Sequence, residues 1–238
     1  MKLSNKILII GLAVVLGGML FVGAGTRIMI GGALKKDQIG VESADLGERV
    51  RKTFDFADFS EISASGIYEI SITRGDEYSA AVELEEGLVD EFKIKKQGPK
   101  LVLAMKDDMY RIGSDVISIE LVMPELTGIS LQGGSNVAVN GFSSELLDIV
   151  IEGASNVVGK DNEIEDLFLS CDGAVNVNLK SSKTVNAEVD LAGASQVALT
   201  MDGGILEGKI EGLGSLDYYG KVVKENVGNQ GLSKVKKH

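Results

Sequence analysis

Five segments decide the fold: LQGGSNVAV (131–139), IEGASNVVG (151–159), CDGAVNVNL (171–179), LAGASQVAL (191–199) and IEGLGSLDY (210–218). Their leading glycines, Gly133, Gly153, Gly173, Gly193 and Gly212, are spaced by 20, 20, 20 and 19 residues. Four positions on stands an apolar residue: Val137, Val157, Val177, Val197 and Leu216. A period this regular is the signature of a solenoid, in which each repeat buries its apolar side against the next.

Aligned at this period, the preceding residues form a second set of columns. Leu147-Ile149-Ile151, Leu167-Leu169-Cys171, Ala187-Val189-Leu191 and Leu206-Gly208-Ile210 alternate with mostly polar residues, Val150, Phe168 and Ala192 excepted. Alternation of this kind is a strand with one face in the core and one in water. Val137/Val139, Val157, Val177/Leu179 and Val197/Leu199 make a second short inward strand after the glycine. The remaining third of each repeat, NGFSSE, GKDNEIE and KSSKT, is polar and reads as turns. Two or three strands per coil of about twenty residues, with rungs about 4.8 Å apart, predict a parallel β-helix with a filled core. Right-handed winding is the expectation for parallel crossovers. The glycine column marks a corner that needs positive φ or leaves no room for Cβ.

Upstream, Thr53 onward shows bursts of period-2 alternation, such as Tyr68/Ile70/Ile72 and Ile117/Ile119/Leu121. Turn signals near every ten residues separate them, which is an all-β pattern. EEGLVDEFKIKK (85–96) reads either as such a strand or as one helical turn through Leu88, Val89 and Phe92. ISASGIYEI (62–70) reads as a diverged copy of the repeat, with Tyr68 in the place of Val137. Residues 53–127 are expected to give irregular coils and a cap, and 128–220 the regular repeats, within one domain spanning 53–233.

Residues 7–25 hold no charge and follow Lys2 and Lys6, a length suited to crossing a bilayer. Two readings stand: an uncleaved signal anchor or transmembrane helix within 1–34, or a cleaved signal ending near Val22-Gly23-Ala24. Residues 35–52 read as a polar linker and 234–238 as a basic tail. The β domain is placed outside the cytoplasmic membrane, with the membrane itself a partner through residues 7–25.

All 35 acidic residues follow Lys36, against nineteen of the 24 basic ones, so residues 37–238 carry a net −16. A domain this acidic repels phosphate backbones, which argues against nucleic acid. The single cysteine, Cys171, sits in an apolar column and reads as a buried, inert thiol. The one histidine is His238, so an internal imidazole base or metal ligand is missing. No column pairs acids with a base or a nucleophile. Catalytic residues, cofactor-binding residues and metal ligands are therefore each expected to be none, and the chain is not expected to be an enzyme.

Asn136, Asn156, Asn176 and Gln196 form an amide column that Ser215 ends. It reads as a structural ladder or as a polar binding strip. Glu152, Asp172 and Glu211 share an outer column, interrupted by Ala192, without the glycine-aspartate spacing of calcium-binding repeats.

The run FSEISASGIYEISI (59–72), the MPEL segment (123–126), the G-x-S-N-V repeats and the closing GLGSLDYYG (212–220) resemble the bacterial "putative auto-transporter adhesin, head GIN domain" family. The resemblance spans about residues 50–233 and implies a right-handed β-helix in the bacterial cell envelope. It supplies no catalytic residues. With only Lys234 to His238 after residue 233, a C-terminal β-barrel translocator like that of a self-secreting autotransporter is not expected. Three functions follow as expectations. The first is an exported, non-catalytic module binding an envelope glycan or protein. The second is a self-associating structural or stress-related envelope protein. The third is a polysaccharide-active enzyme, which rests on fold analogy alone. Any binding surface is expected on the outer strand face or near 140–146, 160–165 and 180–185.

Overall fold

The computed structural model describes residues 46–106 and 116–238; the leader and all but the last residues of the linker lie outside these. Among the described residues no helix is long and apolar enough to cross a membrane. The described chain is an all-β solenoid of about six turns.

The regular part runs through β8 (Gly128–Gly133), β9 (Asn136–Asn140), β10 (Ser143–Gly153), β11 (Asn156–Gly173), β12 (Asn176–Gly193), β13 (Gln196–Asp202), β14 (Ile205–Gly212), β15 (Ser215–Lys221), β16 (Lys224–Gly231) and β17 (Lys234–Lys237). All neighbouring pairs here are parallel, and the register follows the sequence period: Gly133 pairs with Gly153, Gly153 with Gly173 and Gly173 with Gly193. The inner columns are those the alternation predicts. Leu147, Ile149, Ile151, Leu167, Leu169, Val189 and Leu191 are all buried, as are Val137, Val157, Val177 and Val197.

The upper end of the expected two or three strands per coil holds, and the polar third of the repeat is strand rather than turns. β11 and β12 are continuous over 18 residues each, and carry the inward-outward alternation through the polar segment. Phe142, Ser144, Asn162, Ile164, Ser182 and Thr184 point inward and are buried. Ser144, Asn162 and Ser182 tolerate burial because hydrogen bonds inside the stack replace water, whereas the Thr184 hydroxyl is buried without a partner. Asn162 Nδ2 donates to Val139 O and to Ser182 Oγ, both at 2.9 Å, and Asn162 Oδ1 accepts from Phe142 N at 3.0 Å.

The first coil is built from β2 (Glu61–Gly66) and β3 (Tyr68–Arg74), which lie parallel to β8 and β9 although some sixty residues earlier. Gly66 pairs with Gly133, but Ile70, not Tyr68, stands beside Val137. Tyr68 instead fills the corner two residues earlier, where the later coils carry the smaller Ser135, Ser155, Val175, Ser195 and Gly214, and its hydroxyl donates to Ser65 O at 2.8 Å. Its ring leaves no room for a Cβ on Gly66, which would lie 2.5 Å from the ring.

On the far side of this coil lie β6 (Lys100–Met105) beside β2 and β7 (Ile117–Met123) beside β3. The stacking order is therefore not the chain order. Antiparallel strands close this end: β5 (Phe92–Gln97) on β6, β4 (Ser79–Glu85) on β7, and β1 (Arg49–Phe54) on β4. The ambiguous segment at 85–96 holds both features, a 3-10 turn at Glu86–Leu88 and then β5. Two boundaries move. The strand pattern begins at Arg49, inside the segment read as linker, and Lys234–Lys237 pair with β15 rather than forming a tail, because Val235 continues the half-buried alternation.

Candidate functional site

The corner glycines fall in one column at positive φ. At Gly153, φ is 121° and an added Cβ would stand 2.3 Å from Gly133 O, so the backbone conformation and the rung above each exclude a side chain. Gly66 and Gly231 extend the column beyond the five read from the repeats. Just inside the corner, Ser135, Ser155 and Ser195 are buried, and Ser135 N donates to Ser155 Oγ at 3.2 Å. This corner is frame rather than a site.

The amide column is in register: Asn136 pairs with Asn156, Asn156 with Asn176, Asn176 with Gln196, and Gln196 with Ser215. Asn176 Nδ2 donates to Asn156 Oδ1 at 2.6 Å. An amide–hydroxyl pair, Asn162 with Ser182, lies within the core. Its signal in the sequence was the twenty-residue spacing of two residues flanked by apolar alternation, masked by their polarity.

Cys171 is buried, and burial pushes its thiol up to about 12, so it carries no thiolate at neutral pH. Among the described residues no three histidine, cysteine or carboxylate side chains converge as a metal centre. Glu152 accepts from Gln132 Nε2 at 3.2 Å, and Lys209 bridges Asp190 and Glu211 at 3.4 Å each. Hydrogen bonding to Asp190 foremost, and the charges of both carboxylates, raise the Lys209 ammonium above its ordinary value.

The third side carries a groove of about 510 Å³, lined chiefly by Ser143, Glu145, Glu163, Glu165, Lys183 and Asp202. It crosses four rungs of the stack, since Ser143 pairs with Glu163, Glu163 with Lys183, and Thr184 with Met201, the neighbour of Asp202. The alternation places it: the even-numbered neighbours Ser144, Ile164 and Thr184 turn in, so the odd-numbered side chains turn out. Ser144 is held from below by donating to Leu126 O at 2.8 Å, which fixes the floor. The four carboxylates have no ion-pair or hydrogen-bond partner among the described residues, and a single ammonium stands among them. A carboxylate only accepts, so the groove suits ligands rich in hydroxyl or N–H donors and repels anions.

A family profile described as "Putative auto-transporter adhesin, head GIN domain" matches residues 58–199. The fold is shared with a "putative adhesin" from Bacteroides fragilis, 14% identical, with a TM-score of 0.60 over 80% of this chain and 97% of that one. It is also shared with a "putative lipid binding protein" from Parabacteroides distasonis, 16% identical, with a TM-score of 0.53 over 81% of this chain and 97% of that one. No curated protein matches the sequence.

Proposed function

Because the chain belongs to the head GIN domain family, we propose that it is a non-catalytic, adhesin-like binding module of the bacterial cell envelope. Its partner is an envelope glycan or protein, and its β domain stands outside the cytoplasmic membrane. The observation that carries this reading is the third-side groove, where four unpaired carboxylates and a lysine are held on strands rather than on loops. A backbone fixed by the parallel ladder binds at a smaller ordering cost than a mobile loop would. Family membership and the adhesin-named neighbour support binding over catalysis. The amide column serves as ladder in this reading and the leader as the export signal or anchor.

Arrays of cell-envelope glycans and of envelope proteins, probed with the full chain, test the proposal. Saturable retention on at least one class is expected. Blank arrays of both kinds overturn it.

A further inference from the structure

The outer face that follows the groove carries an anomaly. Along β10 the outward residues are Leu146, Asp148, Val150 and Glu152; along β11 they are Asp166, Phe168, Ser170 and Asp172; along β12 they are Asn186, Glu188, Asp190 and Ala192. Phe168 sits at the centre of this array. It pairs with Asp148 on one rung and with Glu188 on the next, with Leu146 and Val150 diagonal to it. Phe168 and Leu146 are exposed by 40% and 43%. Three apolar side chains are thus grouped on one face and ringed by acids, unlike the scattered single exposures that need no explanation.

Three of those acids are engaged: Glu152 accepts from Gln132 Nε2 at 3.2 Å, Asp166 accepts from Asn186 Nδ2 at 2.9 Å, and Asp190 pairs with Lys209. Asp148 and Glu188, the two in direct register with the ring, have no such partner among the described residues. With rungs about 4.8 Å apart, Asp148 and Glu188 stand one rung to either side of Phe168 on the same outer face. An aromatic face between two acceptor-only groups is the arrangement that a flat cation satisfies, stacking on the ring while its N–H groups donate outward. Exposed Leu146 and half-buried Val150 beside it are suited to the stem of such a residue.

We infer that this face is a docking site for a basic protein segment, with an arginine of the partner stacked on Phe168 between Asp148 and Glu188. The occupant follows from charge complementarity: the face presents Asp148, Glu152, Asp166, Asp172, Glu188 and Asp190. It adjoins the acidic groove directly, since Glu145 precedes Leu146 and Glu165 precedes Asp166. The inference rests on the binding-module reading and names the partner's chemistry.

The test titrates tetra-arginine, tetra-lysine, tetra-glutamine and an uncharged tetrasaccharide of N-acetylglucosamine into the full chain, read by nuclear magnetic resonance at the Phe168 ring. Tetra-arginine is expected to bind most tightly and to shift that ring. Phe168→Ala should weaken it by about fivefold or more, and Phe168→Tyr should restore it. Val158→Ala, exposed on another side, should leave it unchanged. Binding that Phe168→Ala alters by less than about twofold shows attraction by net charge alone and overturns the inference. Phe168-dependent binding of the tetrasaccharide in preference to tetra-arginine also overturns it, while leaving the module reading intact. Phe168-dependent self-association of the unliganded chain, seen by sedimentation, overturns it in favour of a second copy as occupant.

Discussion

Asn162 and Ser182 stand one rung apart inside the solenoid, with Asn162 Nδ2 2.9 Å from Ser182 Oγ. The pair is twenty residues apart in sequence, the same interval as the corner glycines, and it is buried. It turns a polar stretch into an inward wall.

Removing that amide orphans several groups at once. Asn162→Ala leaves Phe142 N–H and Val139 C=O without their partner. Each buried group left unsatisfied costs about 1–3 kcal/mol, so a loss of about 3 kcal/mol is expected. Asn156→Ser on the exposed amide column should cost only about 1 kcal/mol, one net hydrogen bond. Urea unfolding of the two variants checks the ranking.

Corner geometry predicts a contrast between two glycines. At Gly173, φ is 127° and a Cβ would lie 2.1 Å from Gly153 O. Gly173→Ala must therefore move a rung or strain the corner, and about 2–4 kcal/mol should be lost. Gly98, at φ 62°, has nothing within 4 Å of the added atom. Gly98→Ala should cost about 1 kcal/mol, the left-handed backbone penalty alone. Melting temperatures of both variants decide it.

Adjacent valines test the register of the wall. Val157 is fully buried, whereas Val158 is 41% exposed. Val157→Asp places an unpaired charge in a dry core and should prevent folding or cost several kcal/mol. Val158→Asp should change stability by about 0.5 kcal/mol or less. Circular dichroism melts of the two proteins should differ widely; similar melts would mean that the inward and outward faces are misassigned.

An alkaline transition is expected at the last coils. Tyr218 donates its hydroxyl to Glu225, and that bond first, then burial, raises its phenol to about 12 from the ordinary value of 10. Above pH 10 the unfolded chain gives up this proton while the folded chain keeps it. The stabilisation is therefore complete below pH 10 and is lost as pH rises towards 12. Spectrophotometric titration of tyrosinate should place Tyr218 above the ordinary range, and Glu225→Gln should bring it back towards 10.

Much of this architecture is legible in the sequence, because glycine corners and branched aliphatic walls are each dictated by one steric or hydrophobic requirement. The inward set of Leu147, Ile149 and Ile151 needed nothing beyond alternation. The third side was not legible because Asn162, Ser182 and Thr184 satisfy the alternation with polar groups, and polarity signals turns until partners are known. Nor is the placement of Tyr68 legible: Ile70 stands four residues from Gly66 and pairs with Val137, but no later repeat has an aromatic residue at the corner to compare with Tyr68. The stacking of β2–β3 against β8–β9, ahead of β6–β7, depends on long-range pairing that no local pattern encodes. For the candidate site, the outer strand face and the segments near 140–146, 160–165 and 180–185 read from the sequence as surface, the three segments as loops. Their fixed strand geometry, and the unpaired state of Glu145, Glu163 and Glu165, emerge only from the fold.

The central claim is that the conspicuous repeat is frame and that binding resides on the third side. Retention on the envelope glycan and protein arrays, compared for the parent chain, Glu145→Gln/Glu165→Gln and Asn156→Ser/Asn176→Ser, tests it most directly. The account predicts that the groove variant loses about tenfold or more in apparent affinity and the ladder variant keeps the parent value, which corresponds to charge-assisted contacts worth about 1.4 kcal/mol or more. Loss of binding in the ladder variant, with the groove variant unaffected, would contradict it.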